Sequence, residues 1–244
     1  MELLVFDAMG FFAHFRKFYS TSSSLSYAFP PRSAILGMLA ATLGREKDSY
    51  YEEFSLEKCR VAVALRTPVR KIVQQINYLD TDMISEERLR GRTQRVPTAL
   101  EFVLPEPPNT SVKYRVFIHH YNLDEVCKRI KSGRFVYPPS LGLSGCLASL
   151  NFISLVQAEV RERPEPIEVS TVIPASRIED IAPNEGVKIY REEQVPISFS
   201  TGRKIERLDD FVYEGEGKQL KVRVRGESFK CELAEGTIYG VFME

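Results

Sequence analysis

Tryptophan is missing from this chain, and histidine is scarce, with three in 244 residues. Any chemistry built on imidazole therefore has only His14, His119 and His120 to draw on. The four cysteines, Cys59, Cys127, Cys146 and Cys231, stand far apart, with no C-x-x-C pair and no histidine at ligand spacing. That excludes a cysteine-built zinc site and suits reduced, buried thiols in a reducing compartment. Net charge is missing too, since Lys+Arg and Asp+Glu balance at 33 each. A free-standing nucleic-acid binder that works by its bulk field is thereby excluded, while a local basic groove is not. No run approaches 18 uncharged apolar residues, so no membrane-spanning helix is expected. The first apolar run is broken by Asp7, and Arg16 and Lys17 follow it rather than precede it, which argues against a signal peptide and for a cytoplasmic chain. There is no P-loop, no G-x-G-x-x-G and no G-x-S-x-G. Glu52-Glu53 and Asp209-Asp210 are isolated pairs rather than a ligand cluster. Neither a cofactor nor a metal is expected.

What is present is an ordinary globular composition, 43% hydrophobic and 27% charged. It supplies apolar mass for one large domain or two small ones. Residues 3–8 read as a strand apolar on both faces. A long polar loop follows, carrying His14, Arg16 and Lys17 at one end and Tyr27 and Phe29 at the other. Pro30-Pro31 then opens a helix over about 32–43, with Ile35, Leu39 and Leu43 on one face and Gly44 as its C-cap. Gly37 inside that helix suggests close packing by another element. A strand, a basic and aromatic loop and a helix N-terminus make a phosphate cradle, with Arg32 and Ser33 at the helix start. Ser33 serves equally as a plain cap, Tyr27 and Phe29 as loop anchors on the core, and His14 as a satisfied loop histidine.

Cys59 to Leu65 alternates as a second strand. Residues 69–78 are strand-like and polar, and 98–104 form a returning strand. Between them lies little apolar content and the densest basic run, Arg88, Arg90, Arg92, Gln94 and Arg95, tempered by Glu86 and Glu87. This is a projecting arm. On the strand Lys113–His120, Val112, Tyr114, Val116 and Ile118 share a core face. Lys113, Arg115, Phe117 and His119 share the other, the composition that binds single-stranded RNA on an open sheet. A helix over about 123–132 follows, with Asn122 as cap and Gly133 as terminator, and then a strand over 151–159. The order β-α-β-(arm)-β-α-β is that of a ferredoxin-like, RNA-recognition-type α+β domain. Short strands and Gly-containing turns fill the remainder, an antiparallel β region. The domain reading is 1–163 for the first part, with the arm at about 67–110, and 164–244 for the second.

The stretches F-D-x-x-G-x-F-A-H-F-R-K and S-S-L-S-Y-x-F-P-P-R-S-A-I-L-G-M-L-A-A-x-L-G resemble the N-terminal signature of the CRISPR-associated protein 5 family. T-Q-R-V-P-T-A-L-E-F-V-L-P and Y-P-P-S-L-G-L-S-G-C-L-A, at 93–105 and 137–148, resemble it further. The resemblance implies a ferredoxin-like domain with a thumb between its second and third strands, where the arm lies. It implies a non-catalytic subunit of the type I interference complex, Cascade, that binds the 5′ end of a CRISPR RNA. Its partners would be the backbone and large subunits, with target DNA met only through the complex and no membrane. The expected RNA contacts are Arg16, Lys17, Arg32, Ser33, Arg88, Arg90, Arg92, Gln94, Arg95, Lys113, Arg115 and His119. One branch of the family cleaves its own repeat RNA with a Tyr, Lys and His set. A metal-free ribonuclease using His119 as base or acid with Lys113 and a tyrosine is the alternative.

Overall fold

The computed structural model describes the chain except for residues 21–23, 80–84, 92–94 and 183–184. The first half contains β1 (Glu2–Gly10), β2 (Phe15–Arg16), β3 (Ser26–Tyr27), α1 (Arg32–Leu43), β4 (Cys59–Leu65) and β5 (Val69–Leu79). It continues through α2 (Glu86–Leu89), β6 (Arg95–Pro105), β7 (Val112–His120), α3 (Leu123–Ser132) and β8 (Ser149–Glu162). The second half is all strand: β9 (Ile167–Val169), β10 (Ile173–Pro174), β11 (Ile178–Ala182) and β12 (Ile189–Ser200). It ends with β13 (Lys204–Glu214), β14 (Leu220–Val224), β15 (Glu227–Leu233) and β16 (Gly236–Gly240), apart from two turns of 3-10 helix. The architecture is mixed α+β, mostly strand.

Nine strands form one sheet in the order β11-β14-β9-β16-β15-β8-β1-β7-β4. Its heart, β8-β1-β7-β4, is antiparallel throughout, with Leu4 opposite Ile118 and Val61 opposite that same Ile118 on its other side. The alternation of β1 divides its side chains between two cores. Leu4, Phe6 and Ala8 pack with Val61, Val116 and Ile118 against Ile35 and Leu39 of α1 and Val126 and Ile130 of α3. Leu3 and Val5 point the other way, to Ala62, Phe117, Phe229 and Phe242. Each fully buried Phe or Leu contributes about 1.5–3 kcal/mol.

The second face is therefore closed by β15, β16 and the C-terminal residues, and is not the open platform expected from the Lys113–His119 pattern. Short-range signals do not show this cover, because it arrives more than a hundred residues later in the chain.

Helix α1 begins at Pro31, whose fixed φ suits a helix start, and ends at Gly44 in the left-handed region at φ 73°. Gly37 is no packing device: a Cβ there would meet only Tyr50 Oη, at 3.6 Å. Asn122 precedes α3 without capping it through its side chain, which turns instead to Glu125. β12 and β13 form a separate sheet with β10 and pack Val195, Ile197, Phe211 and Tyr213 against the α1 side of the core.

Candidate nucleic-acid interface

β5 and β6 pair with each other along their length, from Val69 opposite Pro105 to Leu79 opposite Arg95. The free edge of β6 is taken by the β1–α1 connection. Ala13 and Val103 exchange both backbone hydrogen bonds, and Ser24 bonds to Ala99 and Glu101. The Ser26 amide donates to the Glu101 carboxylate at 2.9 Å. The base of the arm is thus fastened to the loop by backbone bonds, and one face of the hairpin lines a groove.

That face alternates Ile72, Ile76 and Tyr78 with Leu100, Phe102 and Leu104. Across from it stand Phe12, His14, Arg16 and the loop 143–146, enclosing a groove of about 940 Å³. Phe12 meets Phe102 edge-on at 5.4 Å between ring centroids. A second groove, of about 480 Å³, shares His14, Arg16 and Leu143 with the first and passes over α1 at Ser33 and Gly37 to Arg203. A third, of about 610 Å³, shares Ser33 and Arg203 with the second and is walled by Tyr50 and Tyr51. The three make a continuous track from the arm across the start of α1.

The loop 137–148 sets the width of this track. Gly142 sits at φ 95°, and a Cβ there would fall 1.8 Å from the His14 carbonyl oxygen, so only glycine fits. The His14 amide donates to the Leu141 carbonyl at 3.0 Å. A Cβ at Gly10 would lie 2.8 Å from Leu141 Cδ1. The small residues of the two sequence signatures therefore touch one another.

The expected RNA contacts fall into two classes. Arg16 is exposed on the track and forms no ion pair among the described residues, and Ser33 is half-buried on its floor. Arg88, Arg90 and Arg95 lie on the distal half of the arm. Arg90 is 57% exposed and pairs with Glu86 one helical turn away. Arg92 and Gln94 lie outside the described residues.

Four cations are claimed by the fold. Arg32 is 2% exposed and donates to the carbonyl oxygens of Phe54, Ser55, Cys59 and Ile197 at 2.7–3.4 Å. Burial lowers its pKa, and these bonds hold the guanidinium inside the fold rather than on the track. Arg115 forks onto Asp7 at 2.6 and 3.1 Å and reaches Glu235 at 2.6 Å. Lys17 bonds Glu192 at 2.5 Å, beside Lys71 on the same carboxylate at 2.6 Å. Burial alone would lower the pKa of Lys17, and the Glu192 contact outweighs it and raises it. Lys113 stays half-buried on the closed sheet face, next to Arg115 and Phe117 rather than on the track.

Tyr27 and Phe29 are fully buried, with the Tyr27 hydroxyl donating to the Gln194 carbonyl at 2.6 Å, as anchors should be. His14 is only half satisfied: Nδ1 lies 2.8 Å from the Glu101 carbonyl oxygen, and Nε2 is buried with no partner among the described residues.

With this geometry in hand, a profile of the family described as CRISPR-associated protein (Cas_Cas5) matches residues 3–208. The chain belongs to that family. It is similar to a crystal structure of a CRISPR protein from Archaeoglobus fulgidus, at 13% identity and a TM-score of 0.59, over 98% of this chain and 99% of that one. It is also similar to a chain of a CRISPR RNA-guided surveillance complex, at 13% identity and a TM-score of 0.51, over 88% of this chain and 91% of that one. At such identity the likeness concerns the fold. No curated protein matches the chain.

In this Cas5-family chain Lys113 and His119 do not come together. Lys113 and His119 are six residues apart on β7, about 20 Å at strand rise. His119 Nδ1 is tied to the Glu2 carbonyl oxygen at 2.9 Å, which also takes this residue off the track. Among the described residues no group of three or more His, Cys, Asp or Glu is placed to hold a metal, and no helix is long and apolar enough to cross a membrane. Sequence reading missed Phe12, Leu143 and Arg203 as track residues. Phe12 carried a signal, lying in the quoted N-terminal signature, whereas Arg203 carried none.

Proposed function

We propose that this chain is a non-catalytic CRISPR-RNA-binding subunit of a cytoplasmic type I interference complex, holding the 5′ handle of the guide and capping the backbone filament. The observation that carries this reading is the track between the arm and the β1–α1 connection. It offers an uncovered apolar and aromatic face for unstacked bases and an exposed arginine for the backbone. The order β8-β1-β7-β4, with α1 and α3 packed on one face, supports the ferredoxin-like reading, and the β5–β6 arm stands where a thumb belongs. Residues 1–163 would carry the RNA and 164–244 would brace them. The backbone and large subunits would be the protein partners, and target DNA would be met through the complex.

The test is copurification of guide RNA with the complex carrying Arg16→Ala together with Tyr78→Ala. Loss of guide from an assembled complex is expected; full retention at wild-type affinity across moderate salt would sink the reading. Incubation of the purified chain with repeat RNA in chelator covers the enzymatic alternative. A defined cut there would replace the non-catalytic assignment.

A further inference from the structure

The groove over the start of α1 is walled by four separate segments. They contribute His14 and Arg16, then Ser33 and Gly37, then Gly142, and finally Arg203 from the turn between β12 and β13. Its volume of about 480 Å³ lies within the range of small-ligand clefts. Three of its features point to a ligand.

The first is the N-terminus of α1, a helix of 12 residues that no side chain caps. The amides of Ala34 and Ile35 turn back to the Pro31 carbonyl. Those of Arg32 and Ser33 keep no partner among the described residues, so the positive pole of the helix opens on the groove. The second is His14, 1% exposed, which lines the groove with an orphaned nitrogen. A carbonyl can only accept, so Nδ1 carries the hydrogen toward Glu101, and in that tautomer Nε2 presents a lone pair. The third is Arg203, held at φ 62°, a conformation that long side chains avoid. Its side chain is 58% exposed on the groove, with Nε donating to Asp48 at 2.9 Å.

We infer that this groove seats one ribonucleotide of the bound RNA, its phosphate on the free α1 amides between Arg16 and Arg203 and its 2′-hydroxyl donating to His14 Nε2. The inference rests on the RNA-binding reading above. It adds a specificity contact and brings in Arg203, from a region to which that reading gives only a bracing role. A lone pair in a buried site calls for a donor, and the ribose hydroxyl is the donor that DNA lacks. The open amides and the two guanidiniums call for an anion within reach of it. Gly37, which lines the groove, adds no side chain to it.

The purified chain is titrated with fluorescein-labelled single-stranded RNA of the neighbouring repeat sequence, and with its all-deoxy counterpart, at several salt concentrations. Arg203→Ala is expected to weaken RNA binding about tenfold and to flatten the salt slope by about 0.7 for the one phosphate lost. His14→Asn keeps a donor to the Glu101 carbonyl and deletes Nε2. It is expected to narrow the preference for RNA over DNA without lowering Tm. Wild-type affinity, slope and RNA-to-DNA ratio in both variants would overturn the seat. Should His14→Asn unfold, an unchanged slope in Arg203→Ala, which is exposed, overturns it alone. A wild-type chain that binds no RNA overturns the RNA-binding reading itself, a different outcome from failure of the two variants.

Discussion

The central sheet and the arm are written in the same alternating pattern, yet only the sheet has both faces covered. On β1 and β7 the two sets of side chains enter two different cores, and Arg115 among them is held by the buried Asp7. On β5 and β6 one set of apolar side chains faces an open groove, and the exposed Arg90 lies toward the far end. On the sheet Arg115 therefore serves the fold, while on the arm apolar side chains are left facing a groove. This reverses the assignment that charge alone suggests.

The sharpest way to break that contrast is Arg32→Ala. It strips a charged donor from four buried carbonyls, at about 1.5–3 kcal/mol for a hydrogen bond to a charged group. A total loss of about 3–5 kcal/mol is expected, read as a Tm lower by about 6–20 °C for a chain of this size. A variant of unchanged Tm that loses RNA would return Arg32 to the interface. Asp7→Ala comes next. It leaves the Arg115 guanidinium buried with only the half-exposed Glu235, and a loss of about 2–4 kcal/mol in denaturant melts is expected.

A third test uses pH on the sheet alone. His120 is buried, donates from Nε2 to the Glu53 carbonyl at 3.2 Å and accepts the Asn122 amide at Nδ1. Burial lowers its pKa from the ordinary 6.5. The unfolded chain then binds more protons than the native one in the interval below 6.5. This contribution is therefore whole above pH 6.5 and is lost as pH falls through the folded value. Tm should drop between pH 7.5 and 5.5, and His120→Gln, which retains the Nε2-like donor, should drop less. Equal pH dependence in the two proteins would remove His120 as the cause.

The legible part of this molecule is the part that local pattern controls. Periodicity places α1 at Arg32–Leu43, β4 at Cys59–Leu65 and α3 at Leu123–Ser132, because each buries one face against the same core. β11 and β16 are not legible as separate strands, being only five residues each and paired with distant partners. The site divides in the same way. Arg16 and Ser33 are near their groove in sequence as well as in space. Lys17 is misread because its partner Glu192 lies 175 residues away, and Arg203 is invisible because only the β12–β13 sheet carries it to α1.

The smaller tests lie on the arm. Tyr78→Ala changes a side chain 43% exposed on the open face. It should cost less than about 0.5 kcal/mol of stability yet about 1–3 kcal/mol of RNA affinity where a base stacks there. Equal losses in the two measurements would mean that the arm is ordinary packing.

Arg90→Ala has the smallest expected effect. Its partner Glu86 is 75% exposed and one turn away, so the pair holds the short helix α2 by only about 0.3–0.5 kcal/mol. Melting cannot distinguish this variant from wild type, but the salt dependence of RNA binding can. A phosphate under Arg90 flattens the slope by about 0.7 when the charge is removed, at any RNA sequence. An unchanged slope leaves Arg90 as a solvated arm cation and moves RNA contact down to the apolar face. The contrast between sheet and arm would then rest on apolar side chains, buried in two cores on the sheet and facing a groove on the arm.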